Sequence, residues 1–214
     1  MIKTEYRRLF LCIKNNQKAL AVITFSLLVL IQERNPVKLF PDLGFQWNGF
    51  FYYGVCCFLF LTLVLRTPLK ESYIGLGDVK FWFPITIGFI VVAMICAAVS
   101  AQMQSFQDYY IDEHFHLIDY LVTMTLFMIG WEYFFRGFML AGLKDSIGEA
   151  AILIQIIPFV LTHLNKPLLE IFMCIPAGLF WGYICYRSNS FWPAVIMHLT
   201  MNFCLKIMTQ GAIL

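Results

Sequence analysis

Charged residues are scarce in this chain. They make up 13% of its 214 residues, against 60% hydrophobic, and the mean hydropathy is +0.74. A soluble domain carries about 25% charged residues, so this profile excludes an ordinary water-solvated globule and points to a polytopic membrane protein. A net charge of +2 gives no basis for a nucleic-acid partner. The seven cysteines (Cys12, Cys56, Cys57, Cys96, Cys174, Cys185 and Cys204) contain no C-x-x-C pair and lie mostly inside apolar runs. They read as small buried residues rather than as a disulfide or metal framework. "YIGLGDVK" (73–80) has two glycines but no G-x-x-x-x-G-K-[ST], which removes the phosphate-loop reading. There is also no low-complexity tract and no internal repeat, and the missing repeat argues against a small transporter.

What the chain has instead is apolar segments, about seven of them: 18–32, 46–65, 80–102, 117–142, 149–164, 167–186 and 190–209. A span needs about 20 residues, so the first and fifth are short. The runs are continuous rather than alternating, which excludes a β-barrel. The expected fold is all-α, a polytopic transmembrane helical bundle of about seven membrane segments. Residues 1–74 would form N-terminal membrane segments and 75–210 an intramembrane core. The first apolar run follows a basic stretch with no small-residue cleavage site after it, and reads as a retained signal-anchor. Lys3, Arg7, Arg8, Lys14 and Lys18 precede it, Arg66, Lys70 and Lys80 flank the second loop, and 103–116 has no Lys or Arg. The positive-inside rule then puts the N-terminus in the cytoplasm and the 103–116 loop outside, with Arg34, Lys38 and Lys166 running against the trend.

Six polar residues sit well inside apolar segments: Glu132, Arg136, His163, Glu170, His198 and Asn202. An ionisable group at membrane depth costs about 2.5–3.5 kcal/mol on insertion scales and normally faces the bundle interior. Glu132 and Arg136 are four apart, as are Phe159 and His163, and His198 and Asn202, so each pair shares one helix face. Three helices can therefore each turn a polar stripe inward. Taken singly, Glu132–Arg136 reads equally well as a structural ion pair, His163 as a packing residue, and His198 with Asn202 as interhelical hydrogen-bonding glue.

The order "EYFFRG" (132–137), "FVLTH" (159–163), "HLTMN" (198–202) resembles the CAAX prenyl protease and bacteriocin-processing family, the Abi-type intramembrane proteases. The resemblance runs over about residues 75–210, and "SFWPAVIMHLTMN" (190–202) is its most family-like stretch. It implies an all-helical intramembrane endopeptidase in which a glutamate and histidines activate water and an asparagine helps hold the oxyanion. Carried onto this chain, the catalytic set is Glu132, His163, His198 and Asn202, with Arg136 tuning Glu132. The implied partners are a peptide or membrane-protein substrate and the lipid bilayer, and the implied location is the plasma membrane (the bacterial inner membrane). Family members in bacteria are linked to bacteriocin processing, self-immunity or peptide signalling.

The chain departs from that family at one position. Trp131 stands where the family's first motif carries the first of two adjacent glutamates. On an α-helix position 131 is about 140° from Arg136, whereas Glu132 shares its face. Three accounts follow. Glu132 does the chemistry with Arg136 tuning it; Glu170, seven residues after His163, substitutes as base; or the chain keeps the fold as a silent membrane binding or immunity protein. The first is favoured, and retention of both histidines and Asn202 weighs against the last. Glu170 also reads as an acidic residue favouring a helix N-terminus behind Pro167. No cofactor is expected. A His₂Glu zinc site from His163, His198 and Glu132 has precedent as a donor set, but the chain lacks H-E-x-x-H, and metal-independent glutamate chemistry is favoured.

Overall fold

The computed structural model describes residues 16–35, 38–42 and 44–211. Among these residues eight helices follow one another: α1 (Gln17–Arg34), α2 (Phe45–Val64), α3 (Val79–Ser100), α4 (Gln104–Tyr110), α5 (Leu117–Ile147), α6 (Ala150–Leu161), α7 (Leu168–Ser188) and α8 (Trp192–Gly211). The fold is all-α, as its continuous apolar runs require.

Four of these helices, α2, α3, α5 and α7, are long and apolar enough to cross a membrane. Among the described residues these four stand against the expected seven or so, and the other spans are not shown. α6 has 12 residues, about 18 Å of helix, too little to cross. α1 carries Lys18, Glu33 and Arg34 at its ends, and α8 is broken up by His198, Asn202 and Lys206. The six cysteines among the described residues are free thiols. Cys12 and the basic residues Lys3, Arg7, Arg8 and Lys14 lie outside the described residues.

Apolar side chains face outward over much of the surface, Leu27, Leu63, Ile95 and Phe172 among them. That arrangement is stable against lipid rather than water. The inward faces carry a single large aromatic core in which Tyr53, Phe134, Phe135, Phe138, Phe159 and Phe191 are fully buried. α2 and α5 cross at Gly54 and Gly130. A Cβ on Gly130 would lie 2.8 Å from the Phe50 Cα, so the two backbones meet only because neither glycine carries a side chain. α3 packs along α8, and α6 along α7.

Two short features fix the ends. Asp78 caps α3 by accepting from the Phe81 N–H at 3.2 Å. The loop before it is pinned to the α7–α8 turn: Asp78 N–H donates to Ser188 O at 2.9 Å, and the Trp192 indole donates to Ile74 O at 2.9 Å. Gly77 has φ +57°, and a Cβ there would lie 1.9 Å from Ser188 O, so only glycine allows the approach.

The shortness of α6 sets the depth of the site. The turn at 148–149 joins α5 to α6, so both helices start from one end of the bundle. Counting back along α5, Glu132 is about 22 Å from that turn; counting forward along α6, His163 is about 20 Å from it. A long fifth span would have carried His163 to the far end. The short one stops it level with Glu132.

Candidate functional site

Glu132 and Arg136 both have 0% exposure. Arg136 Nη1 approaches Glu132 Oε2 at 3.0 Å and donates to Oε1 at 3.3 Å. The closer contact is an ion pair whose angle is too bent for a hydrogen bond, so the Oε1 bond carries the directional part. The guanidinium lies 4.0 Å over the Phe159 ring, an attractive placement for a desolvated cation. From Tyr133 to Met139 the helix winds with i→i+5 hydrogen bonds. Such π-turns recur at functional sites, and this one directly follows Glu132.

His198 reaches across from α8. Its Nδ1 is 2.5 Å from Glu132 Oε1. A carboxylate there accepts Nδ1–H, which fixes the ring's tautomer and leaves Nε2 with its lone pair. His163 repeats the pattern with a different partner: its Nδ1 lies 2.7 Å from Phe159 O, one turn back. A carbonyl only accepts, so Nδ1 carries the proton and Nε2 is again the base. The two rings are nearly parallel, with centroids 6.3 Å apart and planes at 27°. Trp181 packs on His198 at 5.0 Å, and the Trp131 edge meets His163 at 5.7 Å. Asn202 lies one turn beyond His198. Its Oδ1 accepts from the Tyr120 hydroxyl, which orients the amide and leaves Nδ2 as the donor.

Two cavities meet at these residues. One of about 800 Å³ is lined by Tyr120, Trp131, His163, His198, Asn202 and Lys206, among others. The second, about 500 Å³, is walled mainly by apolar side chains of α3 and α7 such as Phe89 and Phe180, and shares His163, His198 and Asn202 with the first. Glu132 and Arg136 line neither cavity. The sequence-expected residues are therefore brought together in two ranks: His163, His198 and Asn202 face open space, while Glu132 and Arg136 stand behind them. Trp131 occupies the wall at the position where the resembling family keeps its first glutamate.

Glu170 lines both cavities as well, but its carboxylate is already engaged. Both its oxygens accept from the Tyr110 hydroxyl, at 2.9 and 2.8 Å, and Lys166 Nζ is 3.6 Å away. Lys166 also donates to Tyr110 Oη at 2.8 Å. Burial first, and then the Glu170 carboxylate, push the Tyr110 phenol well above its ordinary range, so it stays a donor and holds the carboxylate in place. Glu170 does sit in the first turn of α7, just after Pro167, where an acidic residue suits the helix dipole.

Of the residues considered for zinc, only the imidazole Nε2 atoms of His163 and His198 are uncommitted. Glu132 turns its oxygens to Arg136 and His198 Nδ1, and His163 spends Nδ1 on a carbonyl. Among the described residues no three His, Cys, Asp or Glu side chains are placed to hold a metal ion.

Four residues of the site were missed by reading apolar segments for polar intruders: Tyr110, Tyr120, Lys166 and Lys206. Lys206 had a signal, because "HLTMNFCLK" (198–206) extends the four-residue spacing by one more turn. The tyrosines had none, since their partners are decided by how α4 and α5 fold back over α8.

Residues 113–204 match the family model described as type II CAAX prenyl endopeptidase Rce1-like. The match starts just before α5 and ends in α8, and so contains all three motifs. No curated protein and no solved structure matches the chain. With the three motifs and this match together, residues 113–204 are a domain of the Rce1-like type II CAAX prenyl endopeptidase (Abi) family, a family of membrane-embedded endopeptidases.

Proposed function

We propose that the chain is a multi-pass membrane peptidase in which His198, held by Glu132, activates water. The observation that carries this reading is the 2.5 Å contact between Glu132 and His198 behind a cavity wall made of His198, His163 and Asn202. A water bound between the two imidazoles would give its proton to His198 Nε2 while its second hydrogen bonds to His163 Nε2. The hydroxide oxygen attacks the scissile carbonyl carbon, and the carbonyl electrons move onto oxygen. Asn202 Nδ2–H donates to that oxyanion; loss of one such donor costs about 2.7–4 kcal/mol in other enzymes. The imidazolium of His198 then passes its proton to the leaving nitrogen as the C–N bond breaks, giving a carboxyl and an amine terminus. Glu132 stabilises the imidazolium, and Arg136 keeps Glu132 ionised, so both are positioning residues here. A carboxylate with no exposure is a poor direct base for water, which moves the base from Glu132 to His198.

A silent, peptide-binding role is favoured by one observation only, the Trp131 ring packed against His163 where the family places a carboxylate. Purified protein in liposomes, with apolar peptides as substrate, separates the two. The peptidase reading expects cleavage that falls at least about 100-fold in His198→Ala and in Asn202→Ala. Peptide bound but left intact by the wild-type protein would favour the silent role. The orientation consistent with the charge pattern puts the N-terminus in the cytoplasm, and protease accessibility of the 103–116 loop in sealed vesicles tests it.

A further inference from the structure

Both cavities lie in one half of the bundle. The larger one takes its rim from the end of α1 (Glu33, Arg34), the start of α2 (Phe45, Gln46) and the α6–α7 turn (Asn165, Lys166). It reaches no further along α5 than Trp131, and on α8 it begins only at His198. The smaller cavity uses α3 only from Phe89 onward and α7 only as far as Trp181. The other half is solid. Every residue of α5 over 132–143 is buried, about 16 Å of helix, and Pro193, Ala194, Val195 and Met197 of α8 are buried beside it. Interiors packed in this way hold few voids larger than a water molecule. That end is also tied shut. Lys144 Nζ donates to Asn189 Oδ1 at 2.7 Å, Phe191 N–H donates to Tyr73 O at 3.2 Å, and Lys18 pairs with Asp145 at 2.9 Å.

The two ends also differ in charge. The closed end carries Lys18, Arg66, Lys70, Lys80, Lys144 and Arg187, and Lys3, Arg7, Arg8 and Lys14 precede α1 in sequence. The open end has Arg34, Lys38, Lys166 and Lys206, of which Lys166 and Lys206 are held by Tyr110 in the cavity wall. The 103–116 connection at that end holds Asp108, Asp112 and Glu113 and no Lys or Arg. An excess of Lys and Arg marks the cytoplasmic side of a span.

We infer that the site opens to water only on the face opposite the cytoplasm, so that it takes peptides or membrane-protein segments already exported to that face. That the occupant is a peptide rests on the reading above; the side rests on packing and charge. The reaction that supplies the substrate is then translocation of its chain across the membrane, and cleavage follows export. Water for hydrolysis enters by the same mouth.

The test uses the full-length protein in sealed membrane vesicles prepared in both orientations. Met124→Cys puts a thiol on the wall of the larger cavity, and Lys70→Cys puts one on the exposed turn at the closed end. Each is treated from one side with a small, charged, membrane-impermeant thiosulfonate, with the wild-type protein and its own cysteines as the blank. Met124→Cys should be modified from the face opposite the cytoplasm and not from the cytoplasm, and Lys70→Cys should show the reverse. Modification of Met124→Cys from the cytoplasmic face, or from neither face, overturns the inference, and so does modification of Lys70→Cys from the opposite face. Where Met124→Cys does not fold, Asn165→Cys at the exposed rim reads the same question. Turnover is read separately, with wild type and an apolar peptide whose charged ends keep it from crossing the membrane. It should be cut only when added to the face opposite the cytoplasm, and cutting from the cytoplasmic face overturns the inference. The expected labelling without cutting from either face would defeat the peptidase reading and leave the sidedness of the site standing.

Discussion

Removing either member of the buried Glu132–Arg136 pair should cost far more than removing both. Neither residue has any exposure, and Arg136 meets the carboxylate at 3.0 Å through one nitrogen while its remaining nitrogens find no hydrogen-bond partner. In Arg136→Met the carboxylate keeps only His198 Nδ1–H, and a buried charge stripped of its counter-ion costs about 3–5 kcal/mol. Loss of the guanidinium from the Phe159 face adds up to about 2 kcal/mol. In Glu132→Gln the amide oxygen still accepts from His198, but the guanidinium is left as an unpaired cation, again about 3–5 kcal/mol. The double variant has no buried charge at this point, and replacing such a pair by neutral groups of similar volume is often near neutral. The double-mutant cycle should therefore show a coupling of about 3 kcal/mol or more, where independent sites show no more than about 0.5 kcal/mol. The assay is reversible unfolding of the purified protein in detergent micelles, with all four proteins in one buffer. A coupling within about 0.5 kcal/mol of zero would refute the reasoning, because it would mean that water already solvates the two charges.

Other outcomes follow from single contacts. Tyr120→Phe removes the donor that orients Asn202 and should lower kcat about 3- to 10-fold with little change in KM, as one neutral hydrogen bond is worth about 0.5–1.5 kcal/mol; steady-state kinetics on the peptide set reads it. Gly130→Ala forces a Cβ to within 2.8 Å of the Phe50 Cα and should destabilise the α2–α5 crossing by about 1–3 kcal/mol in the same unfolding assay. Chelator treatment followed by metal analysis should leave turnover unchanged, because the Glu132 oxygens are already turned to Arg136 and His198, which leaves only two imidazole nitrogens for an ion.

Much of the site was legible because helical spacing is local. Glu132 with Arg136, and His198 with Asn202, are each one turn apart, and a membrane helix has few other reasons to carry them. The departure at Trp131 was equally plain from the motif. The rank order of the residues was not legible. Whether Glu132 faces the cavity or stands behind His198 depends on the rotation of α5 against α8, which the Gly54–Gly130 crossing and the π-turn after Glu132 help to set. Glu170 illustrates the same limit. Its proximity to His163 in sequence suggested a base, but Tyr110 arrives from 60 residues away and takes both oxygens. Segment counting placed the helices where the apolar runs are and marked the fifth as short; α6 is shorter still, and that shortness is what brings His163 level with Glu132.

The central claim is that His198 is the base of a peptide-cleaving site. The most direct measurement compares peptide termini, by mass spectrometry, in membranes carrying the wild-type protein and in membranes carrying equal amounts of folded His198→Ala. The account predicts a set of new carboxyl and amino termini that is present with wild type and lost in the variant. Identical terminus profiles from the two proteins would contradict it.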